Sequence, residues 1–478
     1  MAVHGSVCII GSGPTGLYAA EEIRRQAPLV TVDVIDRLPT PYGLVRGGVA
    51  PDHQKTKSVV RQFEPLFTSH GVRFVGNVRV GEDVDLTELR RLYDAVVLAV
   101  GAAGDRRLNV PGEDLPGVYG SAAFVGWYNG HPDWARLAPR IPGPRVAVIG
   151  NGNVALDVAR ILALTPGEMA VTDLARPAAE AIAASPLTDI YLLGRRGPLE
   201  AQFTSAELRE MGELSGARPV VQAADLPADV PAAIDPRDAR RVKRNLDILR
   251  GFADATAAAA ADDPRVRVHF LFRHAPRAIL GNVVEGVTGL LAERTPTALS
   301  GAGGARPSGQ TTTSLAVGTV VTCIGYRATP FPGLPLDDER GVIANVDGVV
   351  EPGLFVAGWA RHGPRGVIGA NRASAREAAE QALAYLRTVD TPRPGGSELE
   401  RLLQARGFRV VDFAGWQQID AAERAAGDGT RPRDKFIRID DMLAVVEQAA
   451  AITEAGTVEA TPEGTGTRTE SLGPVPSG

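Results

Sequence analysis

The chain has 478 residues, 44% of them apolar and 22% charged, with a formal net charge of −5. That length exceeds what one hydrophobic core organises and points to two or three domains of a globular, soluble protein. The negative balance excludes a general attraction to nucleic acid or to an anionic membrane surface, and no apolar run is long enough to span a bilayer.

Strand-like sequence begins at Val7 and leaves no stretch for a signal or transit peptide, so a cytoplasmic protein is expected. The apolar run 7–10 enters Gly11-Ser12-Gly13-Pro14-Thr15-Gly16, followed by a helical stretch over 17–25. The next apolar strand, 30–35, ends at Asp36, twenty residues past Gly16. A Pro/Gly-rich loop over 38–51 precedes a helix expected over 56–70. Short strands are expected over 72–75 and 77–80, and a strand over 95–100 closes this unit. Residues 105–144, rich in turn formers, read as a crossover.

A second glycine loop, Gly150-Asn151-Gly152-Asn153-Val154-Ala155, is entered from the apolar run 146–149 and followed by a helix over 156–162. The next strand, 189–193, comes at about double the usual distance, so 165–188 reads as an insertion with its own helix. That strand ends in Gly194-Arg195-Arg196. The alanine-rich stretch 253–261 reads as a solvent-facing helix end, 297–310 as a hairpin or surface loop, and 317–324 as the strand closing the unit. A buried strand over 354–359, a Gly-rich turn and a helix over 369–387 carry no phosphate loop of their own, so they return to the first unit. Residues 451–478 have almost no apolar content and are expected to be disordered. The expected fold is therefore α/β, with two Rossmann-like, three-layer dinucleotide-binding domains. The first is discontinuous, 1–104 and 329–450; the second covers 105–328; the tail is 451–478.

A lone Gly-x-Gly-x-x-Gly is weak evidence, because glycine turns are common. Here each loop has the strand before it and the helix after it, and different readers downstream. Asp36 accepts hydrogen bonds from ribose hydroxyls, whereas Arg195 and Arg196 suit a 2′-phosphate. Their ordinary readings, a turn aspartate and a solvated arginine pair, are outweighed by position. One chain holding an unphosphorylated adenine dinucleotide beside NADP(H) reads as an electron-transfer enzyme. Its two cysteines, Cys8 and Cys323, sit in apolar strands and form no Cys-x-x-Cys, so dithiol relay and iron–sulfur chemistry belong elsewhere.

The chain resembles the adrenodoxin reductase-type ferredoxin–NADP reductases over nearly its whole ordered length. The resemblance rests on both glycine loops and on Gly43-Leu44-Val45-Arg46-Gly47-Gly48-Val49-Ala50-Pro51-Asp52-His53. It extends through Leu156-Asp157-Val158-Ala159-Arg160, Gly194-Arg195-Arg196-Gly197-Pro198, Glu207-Leu208-Arg209-Glu210 and Gly363-Pro364-Arg365-Gly366-Val367-Ile368-Gly369. It implies FAD held by Gly11, Gly13, Pro14, Thr15, Gly16, Asp36 and Arg37, with Leu44, Gly101, Trp359, Gly366, Val367 and Ile368 around it. NADP(H) would lie on Gly150, Asn151, Gly152, Asn153 and Val154, with Arg195, Arg196, Glu207, Trp359 and Gly366. The helix near Gly366 would point its positive end at the flavin.

The same resemblance implies proton handling by His53, linked to Glu207, and a nicotinamide pocket shaped by Asp157, expected on the first turn of its helix. An acidic iron–sulfur ferredoxin, possibly feeding a P450, is the implied acceptor. Arg209 and the run Arg237, Arg240, Arg241, Lys243, Arg244 are its candidate contacts, and a monomer is implied. The sequence departs from the family at Arg365, Ala370, Ser374 and Arg361-His362, positions that bear on flavin tuning. Alternatives are an NADPH diaphorase using a quinone or flavodoxin and, from another class, a nucleotide-sensing protein without redox chemistry.

Overall fold

The computed structural model describes residues 3–296, 312–364, 366, 368–427 and 429–458. The expected loop 297–310, Arg365, Val367 and the tail from 459 lie outside the described residues. Six strands form the first sheet, in the order Val349–Glu351, Leu354–Val356, Ala95–Leu98, Gly5–Ile10, Val30–Ile35, Val72–Val75. All neighbours are parallel except the first pair. Parallel strands need cover on both faces, which is why Ala95–Leu98 and residues 7–10 at the centre are wholly apolar, whereas the outer strands admit Thr31, Asp33 and Arg73. On one face Leu17, Ala20 and Ile23 of the helix Pro14–Gln26 pack with Ala375, Ala378 and Ala382 of the helix Asn371–Leu386. On the other, Leu89 meets Leu399 and Leu403 of the helix Gly396–Ala405. Val356 pairs with Leu98, so the C-terminal half of the chain returns to complete this sheet.

The second sheet is wholly parallel, in the order Val118–Gly120, Thr319–Thr322, Arg145–Ile149, Asp189–Gly194, Val266–Phe272, Ala217–Val220. Helices Asn153–Ala163 and Pro236–Ala258 cover one face. The other face is covered by an antiparallel layer, His274–Asn282, Gly286–Arg294 and Thr312–Leu315, through Ile279, Leu290 and Ala292. The two crossings between the sheets pair antiparallel with each other, Tyr326 with Asp105 and Arg327 with Gly104.

Several expected elements change. The helix over 56–70 is three short turns, Gln54–Lys57, Ser58–Gln62 and Glu64–Thr68. Pro65 lacks an N–H and therefore sits at the start of the last turn rather than inside a longer helix. No strand forms over 77–80, because Asn77 takes a left-handed φ of 62° that ends the extended run. The insertion 165–188 carries two helices, Pro166–Ala170 and Arg176–Ala183. The terminal helix Ile439–Val458 continues past 450, where Ala449-Ala450-Ala451 favour helix despite offering little apolar bulk.

Buried charges tie three parts of the chain together. Lys57 Nζ donates to Asp173 Oδ1 and Oδ2 at 2.7 and 2.9 Å and to Asn129 Oδ1 at 3.1 Å. Lys435 Nζ lies 3.2 Å from Asp173 Oδ2 and donates to the Asn129 carbonyl at 3.1 Å. Nearby, Arg46 forms a bidentate pair with Glu423, which is fully buried. Burial alone would raise the Asp173 carboxyl, but the two ammonium groups override it and hold it at about 2. An acid depressed in the fold stabilises above its unfolded value of 3.8, and that stabilisation is lost as pH falls towards 2. Asp173→Asn leaves two buried cations with no anion between them. It should cost about 3 kcal/mol of stability in denaturant unfolding at neutral pH, with the deficit shrinking in acid. A cost below about 1 kcal/mol would show that the pair does not bind the units together.

Candidate active site at the seam of the two units

The first loop follows directly from its strand. Gly11 has φ of 108°, and a Cβ there would sit 2.5 Å from the Ala99 carbonyl oxygen, so no side chain fits. The helix Pro14–Gln26 starts at Gly13 with no capping side chain and no acid in its first turn, while Arg24 and Arg25 occupy its last. Its N-terminal amides are thus left open to an anion. A Cβ on Gly13 would meet nothing within 4 Å, so that side of the loop faces free space. Asp36 Oδ2 accepts from Ser12 N and Oγ at 2.9 and 2.5 Å, and Oδ1 accepts from Leu38 N at 3.0 Å. Three of roughly four acceptor sites on the carboxylate are used, which leaves one for a hydroxyl.

The returning segment closes against this loop, with Gly358 lying on Thr15 so tightly that a Cβ would come 2.4 Å from Thr15 Oγ1. Trp359 opens a short helix, its ring 6.1 Å from that of Tyr326, and its Nε1 is buried without a hydrogen-bond partner. Asn371 Oδ1 is likewise buried and unpartnered. The turn Ile368–Ala370 leads into the helix at Asn371, so that helix begins five residues later than Gly366. Gly101 faces open space, and Leu44 is exposed.

The second loop is stapled from outside. The Asn151 carbonyl accepts from Gln202 N, and Asn153 Oδ1 accepts from Thr204 N, both at 2.8 Å. Asn151 Nδ2 remains buried without a partner. Gly152 has no neighbour where a Cβ would stand, and Val154 lies half-buried against the core. Ala155 is buried at the third glycine position. Arg195 and Arg196 are exposed at the end of their strand, held only through carbonyls that accept from Thr295 Oγ1 at 2.6 Å and Arg273 N at 3.0 Å. Among the described residues neither guanidinium has a partner.

Between the loops lies a cluster of charges. Arg160 is 2% exposed, and its Nε and Nη2 donate to Asp52 Oδ2 and Oδ1 at 2.6 and 3.2 Å. Nη2 also reaches Asp157 Oδ1 at 2.9 Å and His53 Nε2 at 2.7 Å, while Nη1 reaches Glu207 Oε2 at 3.3 Å. His53 Nε2 stands 2.8 Å from Glu210 Oε2 but 3.6 Å from Glu207 Oε2. The expected His53–Glu207 link is therefore replaced by His53–Glu210, one helical turn on. Asp157 lies beyond the first turn of its helix, because that helix starts at Asn153, and it pairs with Arg160 three residues later. Burial, and then the neighbouring Asp157 charge, push Glu207 up to about 7. Burial likewise raises Asp157 against the pull of Arg160. Burial would lower His53, but the bond to Glu210 and the surrounding acids leave it raised.

Other expectations separate from this centre. Arg37 is held bidentately by Asp133, both contacts 2.7 Å, so its guanidinium is committed. Ser374 Oγ accepts from Gly358 N at 2.9 Å and so supports the turn before Trp359. Arg361 pairs with Glu377, His362 Nδ1 contacts the Gly363 carbonyl at 2.9 Å, and Ala370 is exposed. Arg237 pairs with Asp235, Lys243 with Asp247, and Arg241 with Asp238 and the Ala201 carbonyl. Arg209, Arg240 and Arg244 are exposed. Asp52, Arg160 and Glu210 were missed as site residues. The available signal was Asp157–Arg160 and Glu207–Glu210, each pair three apart on one helix.

Among the described residues no helix is long and apolar enough to cross a membrane. A pyridine nucleotide-disulphide oxidoreductase family model matches residues 5–185. The NADPH-ferredoxin reductase FprA of Mycobacterium tuberculosis is 41% identical, over 92% of this chain and 98% of its own. The mitochondrial NADPH:adrenodoxin oxidoreductase of Homo sapiens is 39% identical, over 91% of each chain. The structure of M. tuberculosis FprA in complex with NADPH superposes with a TM-score of 0.84 at 40% identity, covering 93% of this chain and 99% of that one. Likeness of this extent, along nearly the whole of both chains, places the protein in the family of the NADPH-ferredoxin reductases and NADPH:adrenodoxin oxidoreductases.

Proposed function

We propose that the chain takes hydride from NADPH onto FAD and delivers single electrons to an iron–sulfur ferredoxin. The observation that carries this is the pairing of two open glycine loops with opposite readers: a carboxylate with one acceptor site left, and two arginines without partners. The residues fit both groups. Gly13 and Gly152 leave free space at uncapped helix starts, and the orphaned Trp359 Nε1, Asn371 Oδ1 and Asn151 Nδ2 are polar atoms that a bound dinucleotide could satisfy. FAD would be held by 1–104 and 329–450, at Gly11, Gly13, Pro14, Thr15, Gly16 and Asp36 with Gly101, Trp359, Gly366 and Ile368. NADP(H) would be held by 105–328, at Gly150, Asn151, Gly152, Asn153 and Val154 with Arg195 and Arg196. A flavin accepts electrons in pairs and releases them singly, which is what a hydride donor and an iron–sulfur acceptor require between them.

The chain's own residues exclude water and hold protons. His53, Glu207 and Asp157 form a half-buried store between the two loops, and Glu207 keeps its proton up to about pH 7. The acceptor in this reading is acidic and docks on the exposed Arg209, Arg240 and Arg244, with the enzyme a cytoplasmic monomer. Val367 and Arg365 lie outside the described residues and take no part in the argument.

Three outcomes test it. Reduction of a ferredoxin by the FAD-loaded protein and NADPH should be fast at low salt and slow steeply as salt rises; indifference to salt would remove the arginine surface. Replacing Arg195 and Arg196 together by alanine should reduce the NADPH-over-NADH preference at least tenfold, about 1.4 kcal/mol. An unchanged preference would refute the assignment. Because Glu207 titrates near 7, wild-type turnover should show a limb there that Glu207→Gln abolishes. A variant slowed equally at every pH would make Glu207 structural only.

A further inference from the structure

Arg160 lies at the centre of the seam, and its geometry contains a conflict. Its guanidinium is a planar fork of five N–H donors that accepts nothing. It reaches Asp52 and His53 on the loop before the turn Gln54–Lys57, Asp157 on its own helix, and Glu207 and Glu210 on the helix Ser205–Glu210. One atom, His53 Nε2, is 2.7 Å from Arg160 Nη2 and 2.8 Å from Glu210 Oε2. An imidazole nitrogen offers either a lone pair or a hydrogen in that plane. With a lone pair it accepts from Arg160, and Glu210 has no donor from the ring. With a hydrogen it donates to Glu210, and Nη2 must turn wholly to Asp52 and Asp157. Both contacts cannot be made in one protonation state.

We propose that Arg160 is a positioning residue that decides where the mobile proton of this cluster resides, by competing with Glu210 for His53 Nε2. The inference deepens the reading above and rests on it for its functional meaning. Four carboxylates, Asp52, Asp157, Glu207 and Glu210, face one guanidinium and one imidazole, with the buried Tyr128 phenol beside Asp157 and Arg160. Each carboxylate left without a cation favours taking up a proton. The guanidinium cannot release its own proton in this range, so it sets the charge of the cluster without joining the exchange. It also spans the units, since Asp52 and His53 belong to the flavin side and Asp157, Glu207 and Glu210 to the nicotinamide side. Proton position and unit position are thereby coupled through a single side chain.

The test is the His53 imidazole followed by nuclear magnetic resonance in the FAD-loaded protein, with flavin content and the pH profile of NADPH-dependent reduction measured alongside. Arg160→Gln removes a cation next to the ring, so the His53 midpoint should rise by about one pH unit, and the activity limb set by Glu207 should rise as well, because the same charge holds Glu207 down. Arg160→Lys keeps the charge and loses the fork. It should restore the midpoint yet change the nitrogen shifts that distinguish the two tautomers. A folded, flavin-loaded Arg160→Gln with an unmoved midpoint would overturn the proposal. Should that variant not fold, Arg160→Lys decides: tautomer shifts identical to wild type would overturn it equally. The resonance readout uses no ferredoxin, so a wild type that NADPH cannot reduce would sink the functional reading separately.

Discussion

The structure depends on a buried cation to which both units contribute a carboxylate. Arg160 stands almost fully out of water, and an isolated guanidinium there would carry a desolvation cost of several kcal/mol. What offsets that cost is an arc of carboxylates, and these come from both Rossmann units: Asp52 from the loop beside the first sheet, Asp157, Glu207 and Glu210 from around the second. Separating the units would take away Asp52, the partner that Arg160 engages through both Nε and Nη2. The same logic repeats at Asp173, placed between Lys57 from the first unit and Lys435 from the C-terminal segment. Both clusters lie along one seam, which is also where the two glycine loops face open space.

Along that seam, two similar loops have different surroundings. Each begins with a strand, a glycine pressed against a neighbouring backbone and an uncapped helix, and each therefore offers the same amides to a diphosphate. The difference is made at the end of the next strand. Asp36 is fixed by Ser12 and Leu38 with one acceptor site left over, whereas Arg195 and Arg196 are fixed only through their carbonyls. A rigid acceptor suits a hydroxyl with one favoured direction. An exposed arginine pair with no side-chain partner among the described residues suits a phosphate with three equivalent oxygens.

The seam also gives the titrating groups their values. Glu207 is raised because burial and the Asp157 charge outweigh the pull of His53 and of Arg160, whose Nη1 lies 3.3 Å away. Glu210, one turn along the same helix, is more exposed and touches His53, and it is lowered. Two carboxylates on one short helix therefore differ in charge at neutral pH, which is the condition for holding a proton at one and an anion at the other. A histidine between them and the guanidinium completes this half-buried store.

Much of this was legible in the residues. Both glycine loops, the acid and the arginine pair that distinguish them, the discontinuous first sheet and the helix after 369 follow from local periodicity, because strand, turn and helix starts are set by neighbours in the chain. The three short turns after His53, the strand ended by Asn77 and the antiparallel third layer over the second sheet were not legible. Nor were the partners of His53, since Glu210 and Glu207 differ by one helical turn, a distinction visible only once two units dock. Alone, the sequence determined that the chain carries two glycine loops, one followed by an acid and the other by an arginine pair. Tertiary structure alone decided which side chains share the buried space between them, because the energy of a buried charge depends on what surrounds it and not on what precedes it in the chain.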